Sequence, residues 1–151
     1  MKKVLKMCVG IDCAKDELVC CLSELYEDMQ IRNVDIKVFL NKPDHFPKLL
    51  KWATSKAEGF QNLIYVIEAT SVYHELFAYY LVDQNQKLSI VLPNKIKYYR
   101  KSLDIKTDND KAASIGIAEF GLVKTLEAWK KPSPIFRHLR ELLRERIQLV
   151  K

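Results

Sequence analysis

The sequence predicts an α/β fold, a five-stranded mixed sheet flanked by helices and followed by one more helix. Three observations predict it. The first is Met7-Cys8-Val9-Gly10-Ile11-Asp12-Cys13-Ala14-Lys15-Asp16-Glu17-Leu18. Its apolar run stops at a carboxylate, and a second run begins five residues later, which reads as strand, tight turn and returning strand. The second is Asn62-Leu63-Ile64-Tyr65-Val66-Ile67-Glu68. It is apolar on both faces, as a central strand covered by helices on both sides is. The third is the segment beyond Glu68, an amphipathic helix and then a short strand, which with the preceding strand makes a βαβ unit.

In chain order, residues 4–11 are the first strand. Val9 and Ile11 are β-branched and suit a buried pleat, and Gly10 permits a close approach by another backbone or a ligand. Residues 17–22 return beside it. Residues 34–40 alternate apolar and polar as a half-exposed third strand, completing an antiparallel meander. Asn41-Lys42-Pro43-Asp44 is a turn, and Asp44 is the N-cap candidate of a helix to about Ala57, closed by Glu58-Gly59. After strand 62–68, Thr70 or Ser71 caps a helix over 72–83 with Tyr73, Leu76, Phe77 and Tyr80 as its stripe. Residues 88–92 form the fifth strand, stopped by Pro93. Residues 94–102 are a basic, aromatic helix. Residues 112–120 are another helix, with Gly121 as its expected C-terminal cap. Residues 129–134 are a linker in which Pro132 and Pro134 break any helix. From 135 on, Ile135/Phe136, Leu139, Leu142/Leu143, Ile147 and Val150 approximate a heptad. The expected division is therefore a sheet domain over 1–128, then a linker and the start of a coiled-coil helix over 129–151. The heptad runs to Lys151 without a stop signal, and the expectation is that more protein lies beyond it.

The 151 residues suit one domain, and no stretch approaches the roughly 18 uncharged apolar residues that a membrane span requires. The opening Met-Lys-Lys-Val-Leu-Lys is no signal peptide. The expectation is a cytoplasmic protein with no membrane partner. Cys8, Cys13, Cys20 and Cys21 lie in the first two strands with no Cys-x-x-Cys pair, and the three histidines are scattered, so buried free thiols are expected rather than zinc. The formal charge is +6, which favours polyanionic partners. Lys95, Lys97, Arg100, Lys101, Lys106 and Lys111 gather in one segment interleaved with Tyr98 and Tyr99. This mixture suits nucleic acid, although a solvated face with Tyr98 and Tyr99 as core or interface residues also fits.

Three antiparallel strands, a helix and two strands in βαβ linkage make the ribonuclease H-like plan. In that plan the first and fourth strands are parallel neighbours. Asp12 and Glu68 then end adjacent central strands side by side, where open α/β sheets place their sites. Two such carboxylates repel unless a cation joins them, and Mg²⁺ (or Mn²⁺) needs only a few carboxylates. A third carboxylate from a following helix would complete a site for phosphoryl transfer.

Five motifs, in order, now carry a resemblance: Val9-Gly10-Ile11-Asp12-Cys13-Ala14-Lys15-Asp16, Glu68-Ala69-Thr70-Ser71-Val72-Tyr73, Leu92-Pro93-Asn94-Lys95-Ile96-Lys97, Arg100-Lys101-Ser102-Leu103 and Lys106-Thr107-Asp108. The chain resembles the DEDD-type transposases of insertion-sequence family 110, which include the Piv-like pilin-gene invertases. The resemblance covers about residues 7–151. It implies a RuvC-like nuclease domain at the amino end of a longer transposase, with a coiled coil and a carboxyl-terminal serine domain beyond it. It further implies DNA strand cleavage and transfer and a guide RNA encoded by the element. The heptad itself, with Leu139, Leu142 and Val150 lacking partners within one short helix, predicts a dimer or higher oligomer through the carboxyl-terminal helix. By position, Asp12, Glu68 and Asp108 match the family's first three acids. The fourth lies three residues after the third, where this chain has Lys111; Asp110 falls one residue short. If a helix is already under way at Asp108, Asp110 points about 200° round the axis and Lys111 shares the face of Asp108. If the chain is extended there, Asp110 shares the side of Asp108. Thr107 or Asp108 as N-cap favours the first arrangement, which predicts weak single-ion binding and little DNA cleavage by this chain alone.

Two other readings stand beside this one. One is a nucleic-acid-binding and dimerising domain without metal chemistry, for which Lys111 speaks. The other is a sugar-kinase or actin-like ATPase, for which Gly10-Ile11-Asp12 speaks and the lack of a second Asp-Gly phosphate loop speaks against. Ser71 fits a helix cap better than a nucleophile, His74 a helix surface, and Lys15 a turn.

Overall fold

The computed structural model describes residues 2–69, 72–102 and 110–150. Its elements are β1 (Val4–Cys13), β2 (Glu17–Tyr26), β3 (Ile31–Leu40), α1 (Phe46–Lys56), β4 (Leu63–Glu68), α2 (Glu75–Asp83), β5 (Lys87–Val91), α3 (Pro93–Ser102), α4 (Asp110–Val123) and α5 (Pro134–Val150), with short 3₁₀ turns before α1 and α2. The strands form one sheet in the order β3-β2-β1-β4-β5. β1, β2 and β3 are antiparallel, while β1–β4 and β4–β5 are parallel. The predicted ribonuclease H-like sheet is the sheet that forms.

Side-chain alternation divides the core into two layers. Val9, Ile11 and Cys13 of β1, with Tyr65 and Ile67 of β4, pack against Phe46, Leu49 and Ala53 of α1 and Phe77 and Leu81 of α2. Cys8 and Val66 point the other way, against Ile96 of α3 and Ile117 and Phe120 of α4. All four cysteines are free and buried.

Several boundaries differ from the sequence-based expectation, each for a local reason. β2 runs on to Tyr26 and β3 starts at Ile31, because the meander's second turn is the tight one at residues 27–30, where Met29 takes φ 67. Asp44 does not cap α1. It lies in the 3₁₀ turn Pro43–His45 with its carboxylate against His45 Nδ1 (3.2 Å), and His45 holds the cap position without a side-chain bond. Pro134 opens α5 instead of breaking it, since the first helical turn does not use the N–H that proline lacks. Gly121 lies inside α4 rather than capping it. A Cβ there would come within 2.6 Å of Cys8 Sγ and 2.7 Å of Val66, so this glycine serves close packing of helix on sheet. The N-cap candidates Thr70, Ser71, Thr107 and Asp108 lie outside the described residues.

α5 is anchored by its polar side. Glu75 of α2 accepts from Arg140 (3.0 Å) and from both guanidinium nitrogens of Arg144 (2.9 and 2.6 Å), and Arg137 lies 4.0 Å over the Tyr79 ring. Ile135, Phe136, Leu139, Leu142 and Leu143 stay exposed. The hydrogen bond from Arg144 holds the Glu75 carboxyl below the usual carboxylate range. A carboxyl whose pKa is lowered on folding contributes stability above its unfolded value, about 4.3, which is lost as pH falls through the folded value. Protection of the α5 amides, taken relative to their intrinsic exchange rates, should therefore fall as pH drops below about 4, and Glu75→Gln should show the low protection already at pH 7. Equal exchange in parent and variant would show that the arginine contacts do not hold α5.

Candidate active site

β1 and β4 bring two carboxylates together. Their parallel register pairs Gly10 with Val66 and Ile11 with Ile67, and the next residues in line are Asp12 and Glu68. Both are half-buried. By alternation they share the sheet face of Cys8, Gly10 and Val66, beneath α4. The Cys13 thiol lies near both. Burial pushes its pKa up, and the charges of Asp12 and Glu68 both push it further.

α4 lies antiparallel along β1. Lys6, near the start of the strand, donates to the carbonyls of Gly121 (2.6 Å) and Lys124 (3.3 Å) at the helix's far end. Gly121 sits over Cys8, and a Cβ on Gly10 would meet Ala118 N at 2.2 Å and the Ser114 carbonyl oxygen at 2.5 Å. Two further strand residues, about 7 Å, correspond to between four and five helical residues. Counting back from Ser114 therefore places the amino-terminal turn of α4 over Asp12 and Glu68. Asp110 is the first residue of α4, four before Ser114. A helix amino terminus is the positive end of its dipole and favours anions nearby. Lys111 is exposed one residue further on, and its carbonyl accepts from the Ser114 hydroxyl (2.8 Å).

Asp108 and Lys106 lie outside the described residues, as do the side chains of Asp110, Arg100 and Lys101. On α3, Lys95, Lys97 and Tyr98 are exposed, Tyr98 by 68%. Tyr99 packs its ring edge-on to Phe120, centroids 5.6 Å apart, so it belongs to the α3–α4 contact. Among the described residues no three His, Cys, Asp or Glu side chains group as a metal site. Asp12 and Glu68 nonetheless fit a hard divalent ion, being two oxygen donors side by side.

The sequence alone gives no sign of the part played by Asn41. Its side-chain amide donates to the carbonyls of Ala14 (2.9 Å) and Tyr73 (2.9 Å), and its backbone N–H donates to Asp16 O (2.9 Å). One residue thus pins the turn after Asp12 to the segment after Glu68. A turn asparagine is visible in the sequence, but its two partners come together only once β3, β1 and β4 are in register. Asn41→Ala should leave the fold intact and weaken Mn²⁺ binding by about tenfold, the usual loss when a group supporting a ligand is removed. Mn²⁺ titration checks this, and parental affinity would mean that the staple plays no part.

A family model described as a transposase, of the DEDD type found in IS110 elements, matches residues 9–151. The chain belongs to this transposase family. Pilin gene-inverting proteins of Moraxella bovis and Moraxella lacunata are each 30% identical to it over 141 residues. The match takes in 93% of this chain and 42% of each relative, so the IS110-family chain spans less than half the length of these relatives. Among solved structures, Thermus thermophilus RuvC superposes with a TM-score of 0.54 at 12% identity, covering 82% of this chain and 99% of RuvC. The same protein in complex with a Holliday junction substrate gives 0.50 at 11%, covering 74% and 90%. These likenesses establish the RuvC-like fold of the domain. No helix among the described residues is long and apolar enough to cross a membrane.

Proposed function

We propose that this transposase-family chain is a metal-dependent domain for DNA strand cleavage and transfer in insertion-sequence mobility. The observation that carries the reading is the pair Asp12 and Glu68, adjacent in register beneath the amino terminus of α4. In this reading Asp12, Glu68 and Asp108 hold Mg²⁺ or Mn²⁺, with Asp110, the first residue of α4, as the candidate for a further ligand. A bound divalent ion would supply stabilisation of the charge that develops on a scissile phosphate. The chain's own residues orient it: β1 and β4 fix the two carboxylates at one level, Asn41 ties together the turns behind them, and the α4 dipole favours the approaching phosphate.

Exposed Lys95, Lys97 and Tyr98 on α3, with Arg100, Lys101, Lys106 and Lys111 nearby in sequence, supply the nucleic-acid contacts of this proposal. The family match supports DNA as substrate. A guide RNA and a carboxyl-terminal serine domain belong to the proposal through the resemblance alone, while the division into a domain over 1–128 and a coiled-coil start over 129–151 rests on the proline-bearing linker and the heptad pattern. The exposed apolar stripe of α5 suits pairing with another chain. A genomic DNA substrate puts the protein in the cytoplasm.

Thermal unfolding with and without Mn²⁺ tests the reading on this chain and on Asp108→Asn and Asp110→Asn. Stabilisation of the parent, reduced in both variants, is expected. No stabilisation of the parent would favour the alternative, a nucleic-acid-binding and dimerising domain without metal catalysis.

A further inference from the structure

We propose that a second DNA-contacting surface lies between β3 and α1, on the sheet face opposite Asp12 and Glu68. This inference rests on the DNA-binding reading above and adds to it a surface that the sequence motifs do not touch. A groove of about 480 Å³ runs there, lined by Lys37, Phe39, Lys48, Lys51, Trp52 and Ser55. Phe39 and Trp52 form its floor with ring centroids 5.6 Å apart, and both are nearly buried, at 7% and 8% exposure. Rings so little exposed cannot stack on splayed bases, so the groove suits a backbone rather than an unpaired strand.

The walls carry the charge. Lys48, Lys51 and Ser55 recur at helical spacing on one face of α1, and Lys37 reaches over from β3, its Nζ 5.4 Å from the Phe39 ring centroid. All three lysines are exposed. Asp35, on the same side of β3 as Lys37 and Phe39, is already engaged: it accepts from Trp52 Nε1 at 2.8 Å and pairs with Lys56 at 3.8 Å. Three like charges converge across one apolar floor, an arrangement that an array of phosphates relieves. Ser55 adds a neutral donor of the sort that commonly contacts phosphate oxygens. The occupant is duplex DNA, since the chain belongs to a transposase family.

The place of the groove in the fold gives it a role. β3 is an edge strand, two strands from β1 in the sheet order. At about 4.8 Å per strand the groove lies on the order of 10 Å across the sheet from the line of Asp12, and on the other face. Lysines there do not crowd the carboxylates. They suit a flanking stretch of duplex that passes round the β3 edge while another part of the DNA meets the α4 side.

The test compares Lys37→Gln/Lys48→Gln/Lys51→Gln with a control of equal charge loss, Lys3→Gln/Lys124→Gln/Lys130→Gln, in exposed lysines away from the groove. Binding of a labelled duplex is followed by anisotropy from 50 to 200 mM salt, with circular dichroism confirming the fold. Each phosphate contact contributes about 0.9 to the slope of log affinity against log salt, so the groove variant should be shallower by about 2–3, shrinking the salt effect over that range by roughly 40-fold. The control should stay close to the parent. An unchanged slope in the groove variant, or equal flattening in the control, would overturn the surface. Flattening with an RNA hairpin but not with the DNA duplex would overturn the assignment to DNA. A parent chain that binds no duplex would overturn the functional reading and this surface with it.

Discussion

Asp12→Asn should abolish stabilisation by Mn²⁺ without unfolding the protein. The parent, at a free ion concentration of 100 times its Kd, gains about 2.7 kcal/mol. For a domain of this size that is roughly 5–10 °C in Tm. Asparagine keeps the shape of the side chain at the end of β1 and removes its charge. The variant's metal-free Tm should match the parent's or exceed it slightly, because Glu68 then loses a like-charged neighbour on the adjacent strand. Thermal unfolding with and without Mn²⁺ reads both effects. A variant that still gains the parental shift would take Asp12 out of the site.

Gly10→Ala should be among the most damaging single substitutions in the chain. The added Cβ would lie 2.2 Å from Ala118 N and 2.5 Å from the Ser114 carbonyl oxygen, and both obstacles are helix backbone that no rotamer change can move. Overpacking of this kind costs about 2–3 kcal/mol and lowers Tm by roughly 5–10 °C. The helix must lift away from β1 at the level just before Asp12, so metal affinity should fall as well, although no ligand has changed. The same substitution at Gly59 meets open space and is strained only by its φ of 75. It should cost less and leave metal binding alone. A Tm unchanged by Gly10→Ala would mean that α4 does not press on β1.

The sheet was legible in the sequence because each strand carries its own pattern. Residues 62–68 are apolar on both faces and proved central; residues 34–40 alternate and proved to be the edge. The pairing of Asp12 with Glu68 came from strand order alone. What local pattern does not carry is contact between distant elements. Gly121 reads as a helix stop, since a glycine after an apolar stripe usually is one, and only the approach of α4 to Cys8 and Val66 shows why it sits mid-helix. Asp44 reads as a cap, but Pro43 opens a 3₁₀ turn that shifts the start of α1 to Phe46. Asn41 has no signature beyond a turn.

The central claim is that Asp12 and Glu68 hold one ion between them, and a double-mutant cycle on Mn²⁺ affinity tests it most directly. Affinities are measured for the parent, Asp12→Asn, Glu68→Gln and the double variant. If the carboxylates share an ion, each single substitution should cost nearly as much as both together, leaving a coupling of more than about 1 kcal/mol. Losses that simply add, or a Glu68→Gln variant with parental affinity, would contradict the account.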